Sequence, residues 1–207
     1  PNAPSSRLLY SQLLLIMQRN QEALAQRELA VGLDPLNLFT KLLHSGTLAQ
    51  AGDFKGALTI AEELVAADPK DMNANYLIEV AAYRLGEYDK VIRSMKYALP
   101  FSIEEDVYEE IVRIFKVSGI VAAYEELMKY LEKYAENNPI SPFDMTMRYI
   151  IADQPDKALD WIEKAFEAHD PQITYITASG RFFEQLFENP RFITICEKAK
   201  LPIPLNS

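Results

Sequence analysis

The 207-residue chain contains one cysteine, one tryptophan, two histidines and seven glycines, and each scarcity removes a class of protein. With Cys196 alone, no intrachain disulfide framework can form, and a reducing compartment, the cytoplasm, is the expectation. His44 and His169 lie far apart in sequence, and neither stands in metal-ligand spacing with Cys196, so no metal site is expected. The glycines are scattered singly, which leaves no phosphate-cradling loop and implies no nucleotide or other cofactor. The longest aliphatic run, Leu13 to Met17, falls far short of the roughly 20 apolar residues a spanning helix needs, so no membrane association is expected. There is also no basic excess. The 21 Lys and Arg against 30 Asp and Glu give a formal charge of -9 and a pI near 4.8, which opposes contact with nucleic acid or an anionic bilayer. The first residues, Pro1-Asn2-Ala3-Pro4, carry neither an initiator Met nor the basic and apolar regions of a signal peptide. A C-terminal piece of a longer protein is the expectation.

What is present is apolar content and period. Hydrophobic residues make up 49% of the chain and mean hydropathy is -0.11, enough for a sizeable core folded as one unit. Asp34-Pro35 and Asp68-Pro69 are spaced by one interval, and Gly52 and Gly86 repeat it; a period of about 34 residues marks an array of helix-turn-helix units. Gly52, Gly86 and Gly119 read as helix C-caps, followed by Phe54 or Tyr88 as a wedge between paired helices. Ser102 with Glu105 reads as a capping box, and Ser141-Pro142 with Asp144 as an N-cap, first-turn proline and acidic third position. These signals predict helix pairs over residues 5–18 with 21–33, 36–51 with 54–67, 71–85 with 88–99, 103–118 with 120–137, and 142–152 with 155–169. A tail follows at 180–187 and 190–199. Ile173 to Thr177 is the one β-branched run left open between strand and helix.

Residues 38–71 resemble a tetratricopeptide repeat: Gly52 ends the first helix, Ala57 takes the small position where helices cross, and Asp68-Pro69 closes the unit. The next unit keeps Gly86, Tyr88 and Ala98 but has Val91 at the crossing and Pro100 at the exit. The fourth has Gly119, Ala122, Ala123 and Pro139, and the fifth has Asp153 for the glycine, then Ala158, Trp161, Ala165 and Asp170-Pro171. The resemblance spans residues 5–171. It implies an all-α, right-handed superhelical solenoid of about five antiparallel helix pairs, with 172–207 as a C-terminal cap. Lys157 to Ala165 with Asp170-Pro171, Phe182, Phe183, Leu186 and Asn189-Pro190-Arg191-Phe192 resembles the closing segment of tetratricopeptide regions in bacterial transcriptional regulators and adenylate cyclases, although Ser179-Gly180 stands where an Asp-Pro pair belongs. Phe182, Phe183, Leu186, Phe187, Phe192 and Ile193 are expected to cover the last repeat, since a terminal unit must hide its apolar face.

No arrangement of Cys196 or a serine beside a base suggests nucleophilic catalysis, and Cys196 is expected to be buried packing. The acidic doublets Glu62-Glu63, Glu104-Glu105, Glu109-Glu110 and Glu125-Glu126 read as solvated helix faces. The expected function is therefore non-catalytic: a module that binds a protein or peptide in a concave groove lined by first helices. The resemblance places it as the C-terminal regulatory region of a bacterial signalling or transcription-regulating protein. The alternatives are the sensory or scaffolding end of a signalling enzyme such as an adenylate cyclase, or self-association through the cluster Leu8, Leu9, Leu13, Ile16 and Met17. In register, the inward positions are Phe39, Leu42, Gly46 and Ala49, then Asn73, Tyr76, Val80, Tyr83 and Arg84, then Glu109, Arg113 and Lys116. Asn73 can bond a peptide backbone, Tyr76 and Tyr83 offer contact area, and Arg84, Arg113 and Lys116 offer cationic handles for an anionic peptide. The competing reading is that the tyrosines pack between repeats and the cations balance neighbouring glutamates. Leu42 and Gly46 stand where carboxylate-clamping relatives place lysine and asparagine, which disfavours that clamp. Trp161 is expected to pack inside.

Overall fold

A computed structural model describes residues 3–178 and 180–203; Pro1, Asn2 and Ser179, on which expectations were placed, lie outside the described residues. Among the described residues every regular element is helical: α1 (Pro4–Ile16), α2 (Asn20–Leu33), α3 (Leu38–Gln50), α4 (Phe54–Ala67), α5 (Met72–Leu85), α6 (Tyr88–Met95), α7 (Glu105–Ala135), α8 (Pro142–Ile151), α9 (Pro155–Glu167) and α10 (Pro190–Ala199). Two 3-10 segments, Pro171–Tyr175 and Gly180–Leu186, stand between α9 and α10. Ile173 thus begins no strand; it sits in the first of these segments.

The chain divides into two compact units. One holds Pro1–Ser102 with Thr177–Phe182, the other Ile103–Ile176 with Phe183–Ser207. In the first, α1 packs on α2, α2 on α3, α3 on α4, α4 on α5 and α5 on α6, while α3 also touches α1 and α5. In the second, α7 packs on α8, α8 on α9, and α9 on α10 and the Pro171–Tyr175 segment. Such packing of chain neighbours is that of a helical repeat.

Local stereochemistry sets the repeat length. Gln18, Gly52, Gly86, Gly119 and Asp153 all have positive φ, at 57°, 90°, 74°, 85° and 54°, and fall 34, 34, 33 and 34 residues apart. At four of them the next residue donates its N–H to the carbonyl five residues back: Arg19 to Leu14 (2.8 Å), Asp53 to Leu48, Glu87 to Ala82 and Gln154 to Tyr149 (each 2.9 Å). That bond satisfies a carbonyl the helix end would leave open and reverses the chain. Gly119 separates two helices within Glu105–Ala135, as expected for the pair 103–118 and 120–137. Its ψ of -174° with φ 85° breaks α7 internally, a backbone region open in practice only to glycine.

Side-chain caps mark half of the described α-helix starts, among them four in the repeats. Asn37 accepts from the Thr40 amide at 3.0 Å, Asp53 from Gly56 at 2.9 Å, Asp71 from Ala74 at 2.7 Å and Ser141 from Asp144 at 3.4 Å. The Ser102 capping box does not form. The helix starts at Glu105 behind Glu104, which makes no side-chain cap bond, because Ile103 is drawn into the core and holds the chain extended ahead of the helix. The helix expected to reach residue 99 stops at Met95; Ala98 and Leu99 are buried beyond it, in turns that precede Pro100. Proline disfavours helical geometry at the residue before it, so the chain leaves the helix early.

Counted from each left-handed residue, the fifth, ninth and twelfth positions form one buried stripe, on the following helix except for Ala98, just past the end of α6. They are Ala23, Arg27 and Ala30; Ala57, Ala61 and Leu64; Val91, Met95 and Ala98; Tyr124, Met128 and Leu131; Ala158, Ile162 and Ala165. Thirteen of these are apolar and one, Tyr124, is amphipathic. The remaining one is an arginine.

Candidate functional site

In the first unit a cavity of about 170 Å³ opens where α1, α3 and α5 come together, lined by Gln12, Leu15, Leu42, Leu43, Gly46, Thr47, Gln50, Asn73, Tyr76 and Leu77, with Arg27 reaching in from α2. Gly46 lies against Leu77, whose Cδ2 a Cβ at that position would meet at 3.7 Å. Arg27 is 1% exposed. Its Nε donates to Thr47 Oγ1 at 3.2 Å and its Nη2 to Gln12 Oε1 at 2.6 Å, bonds that tie α2 to α3 and α1. Thr47 Oγ1 in turn donates to the Leu43 carbonyl at 2.9 Å, which orients it as an acceptor for Arg27. Gln50 Oε1 is buried and has no hydrogen-bond partner. Next to this wall, burial lowers the pKa of His44; Glu28 opposes that shift and the charge of Arg27 adds to it.

The six residues singled out from the sequence fare differently. Asn73 and Tyr76 both line the cavity, with Leu42 and Gly46 opposite them on α3. Tyr83 is engaged in packing, its ring centroid 6.1 Å from that of Tyr88 and 5.8 Å from that of Phe182. Arg84 lies over the Phe54 ring at 5.5 Å. Arg113 and Lys116 belong to the second unit and are exposed on α7, where Arg113 binds Glu110 through two bonds of 2.5 and 2.7 Å. Of the remaining inward positions, Phe39 is exposed and Ala49 is buried in the core.

Gln12, Arg27, Thr47 and Gln50 were missed. One signal could have found Arg27: thirty-four residues later the same register places Ala61, so a charged residue stands where the repeat calls for an apolar one.

The second unit holds a larger groove, of about 350 Å³, between α9 and α10, lined by Glu163, Phe166, Glu167, Pro190, Arg191, Thr194, Ile195 and Lys198. Here the cation is neutralised from within. Arg191 Nη2 donates to Asp160 at 2.6 Å and to Glu163 at 2.8 Å, and Nε donates to Glu163 at 2.9 Å. On the α7–α9 side Tyr149 donates to Glu132, which also accepts from Lys157 at 3.2 Å; burial, followed by that carboxylate, raises the tyrosine pKa. Cys196 is fully buried and its thiol is pushed up to about 11 by that burial, as expected of a packing residue. Trp161 departs from expectation: it is half-buried, with Lys164 Nζ 3.9 Å from its ring centroid. Phe183, Leu186 and Phe192 are buried in the second unit, whereas Phe182 belongs to the first and packs on Tyr83.

The acidic doublets supply surface ion pairs. Glu62 meets Lys90 at 2.6 Å, Glu63 meets Lys41 at 3.6 Å and Glu126 meets Lys129 at 2.9 Å. Among the described residues no group of three or more His, Cys, Asp and Glu is placed to hold a metal ion, and no helix is long and apolar enough to cross a membrane. The chain matches no known family model and no curated protein sequence.

Proposed function

We propose that this chain is a tetratricopeptide-like, right-handed solenoid that binds an extended segment of another protein on its first-helix face and performs no catalysis. The observation that carries the reading is the cavity at α1, α3 and α5, because it gathers hydrogen-bonding side chains (Gln12, Thr47, Gln50, Asn73, Tyr76) and leucines from three successive first helices. Carboxamides both donate and accept, which matches the alternating donors and acceptors of a peptide backbone, and a tyrosine adds contact area with a polar tip. At about 170 Å³ the space is smaller than the roughly 300–1,000 Å³ of small-molecule sites, and suits a side chain of a longer ligand. The return of a left-handed residue every 33 or 34 positions supports the repeat assignment.

The wider context in this reading is the C-terminal regulatory region of a bacterial, cytoplasmic signalling or transcription-regulating protein. A second reading, self-association, is favoured by one feature: Leu9 and Leu13 on α1, Met17 just after it, and Leu29 and Leu33 on α2 are all at least half exposed.

The test is to pan a random peptide library against the chain and measure the selected peptides by calorimetry on wild type, Asn73→Ala and Tyr76→Ala. At least tenfold weaker binding to Tyr76→Ala, about 1.4 kcal/mol, is expected. Failure to select any peptide, or selected peptides that bind both variants as tightly as wild type, would overturn the assignment.

A further inference from the structure

One side of the first helix pair is apolar and open. Leu9, Tyr10 and Leu13 on α1, Met17 just after it, and Leu29 and Leu33 on α2 are 47–75% exposed. Arg7 Nη1 donates to Gln26 Oε1 at 2.8 Å, which marks the seam between the two helices, while the bonds of Arg27 to Gln12 and Thr47 mark the side that faces α3. At about 3.6 residues per turn, Tyr10, Leu13 and Met17 and, across the seam, Leu29 and Leu33 fall on the side turned away from α3. The repeat register shows what that side is for. Leu13 stands five residues before the left-handed Gln18, as Thr47 and Ala81 stand five before Gly52 and Gly86. Thr47 and Ala81 are 1% and 0% exposed on α3 and α5, helices that the preceding pair packs against, whereas Leu13 is 56% exposed. The first helix thus presents to solvent the face on which repeats stack.

We infer that this side of α1–α2 takes the same side of a second copy of the chain, so that the two helix pairs cover each other as a four-helix bundle about a two-fold axis. The inference rests on the self-association reading above and gives it a face and a geometry. Area fits this occupant. At roughly 200 Å² per large side chain the six residues expose on the order of 650 Å², and a standard interface takes about 800 Å² from each partner, about two-thirds of it apolar in homodimers. Charge fits it as well. Residues 4–33 carry three arginines and two glutamates, whereas the rest of the chain carries 18 basic against 28 acidic side chains, so the net charge of -9 is borne outside this pair. Two copies repel each other over most of their surface and least here. The α1–α3–α5 cavity lies on the opposite side of α1 and stays open to its own ligand.

The test is sedimentation equilibrium of the chain over a range of concentrations. Wild type is expected to approach twice the 23.6 kDa of one copy and to fall toward one copy on dilution. Leu13→Glu brings an unpaired carboxylate from each copy into the interface and should raise the dimer Kd on the order of a hundredfold or more. Val117→Glu, at a residue 79% exposed in the other unit, should leave the Kd unchanged. Circular dichroism establishes that Leu13→Glu is folded; if it is not, Met17→Glu takes its place. A wild-type mass of one copy at every concentration overturns both this inference and the self-association reading. A dimer that Leu13→Glu and Met17→Glu leave intact overturns this face alone, and a mass above two copies overturns the two-fold bundle. Peptide binding that Tyr76→Ala weakens equally in wild type and in monomeric Leu13→Glu supports the separation of the two surfaces.

Discussion

Arg27 in the first unit and Arg191 in the second each stand at the edge of a cavity, and their surroundings differ in every respect that matters for a ligand. Arg191 is partly exposed, is gripped by Asp160 and Glu163, and joins α10 to α9; the charge is satisfied inside the fold, and the two carboxylates raise the arginine pKa further. Arg27 is buried on the stripe that elsewhere carries alanine, methionine and isoleucine, and is held by an amide and a hydroxyl. A surface arginine with two acidic partners acts as a clasp. A buried arginine on an otherwise apolar stripe is held at some cost to the stability of the helix that carries it.

The comparison can be broken most directly by truncation. Arg27→Ala removes a large buried side chain and should cost about 2–5 kcal/mol in urea unfolding, whereas Arg27→Met should cost far less or stabilise, because it refills the space with an apolar group. Equal losses in the two variants would mean that the charge itself holds α2 in place. Next in size is the turn position that both units share. Gly86 has φ 74°, so Gly86→Ala should lower stability by about 1–2 kcal/mol, while Asp153→Gly, at φ 54°, should change it by less than that in either direction, since relief of the strained side chain is offset by a freer unfolded chain. A Gly86→Ala protein as stable as wild type would show that the left-handed bridge does not set the turn. Smallest is Arg191→Ala. The side chain is 39% exposed, its partners are more open still, and the loss should stay below about 1 kcal/mol and shrink further in salt. A loss of several kcal/mol there would make Arg191 as structural as Arg27 and remove the contrast.

Much of the fold was legible in the residues. Asp34-Pro35 and Asp68-Pro69 do stop helices, Gly52 and Gly86 do carry left-handed turns, and Ser141-Pro142 does begin one helix, because each signal acts through bonds within a few residues. The same turn at Gln18 escaped notice since glutamine has no stated preference for positive φ; only its place one period before Gly52 marks it. Ser102 misled because a capping box is a weak local preference, and burying Ile103 outweighed it. The groove was half legible. Asn73 and Tyr76 followed from the register, but Tyr83 turned to Tyr88 and Phe182, and Phe182 comes from a segment almost a hundred residues along the chain.

By itself the sequence determined where the helices lie, how often the chain reverses and which faces are apolar, since these follow from hydrogen bonding and side-chain periodicity over spans of a turn or two. Only the tertiary structure decided that Arg27 is buried, that Gln12, Thr47 and Gln50 join Asn73 and Tyr76 around one cavity, and that Arg191 is neutralised. Those outcomes depend on side chains brought together from separate helices. The charge state and solvation of an arginine are set by these neighbours in space, and its neighbours along the chain do not reveal them.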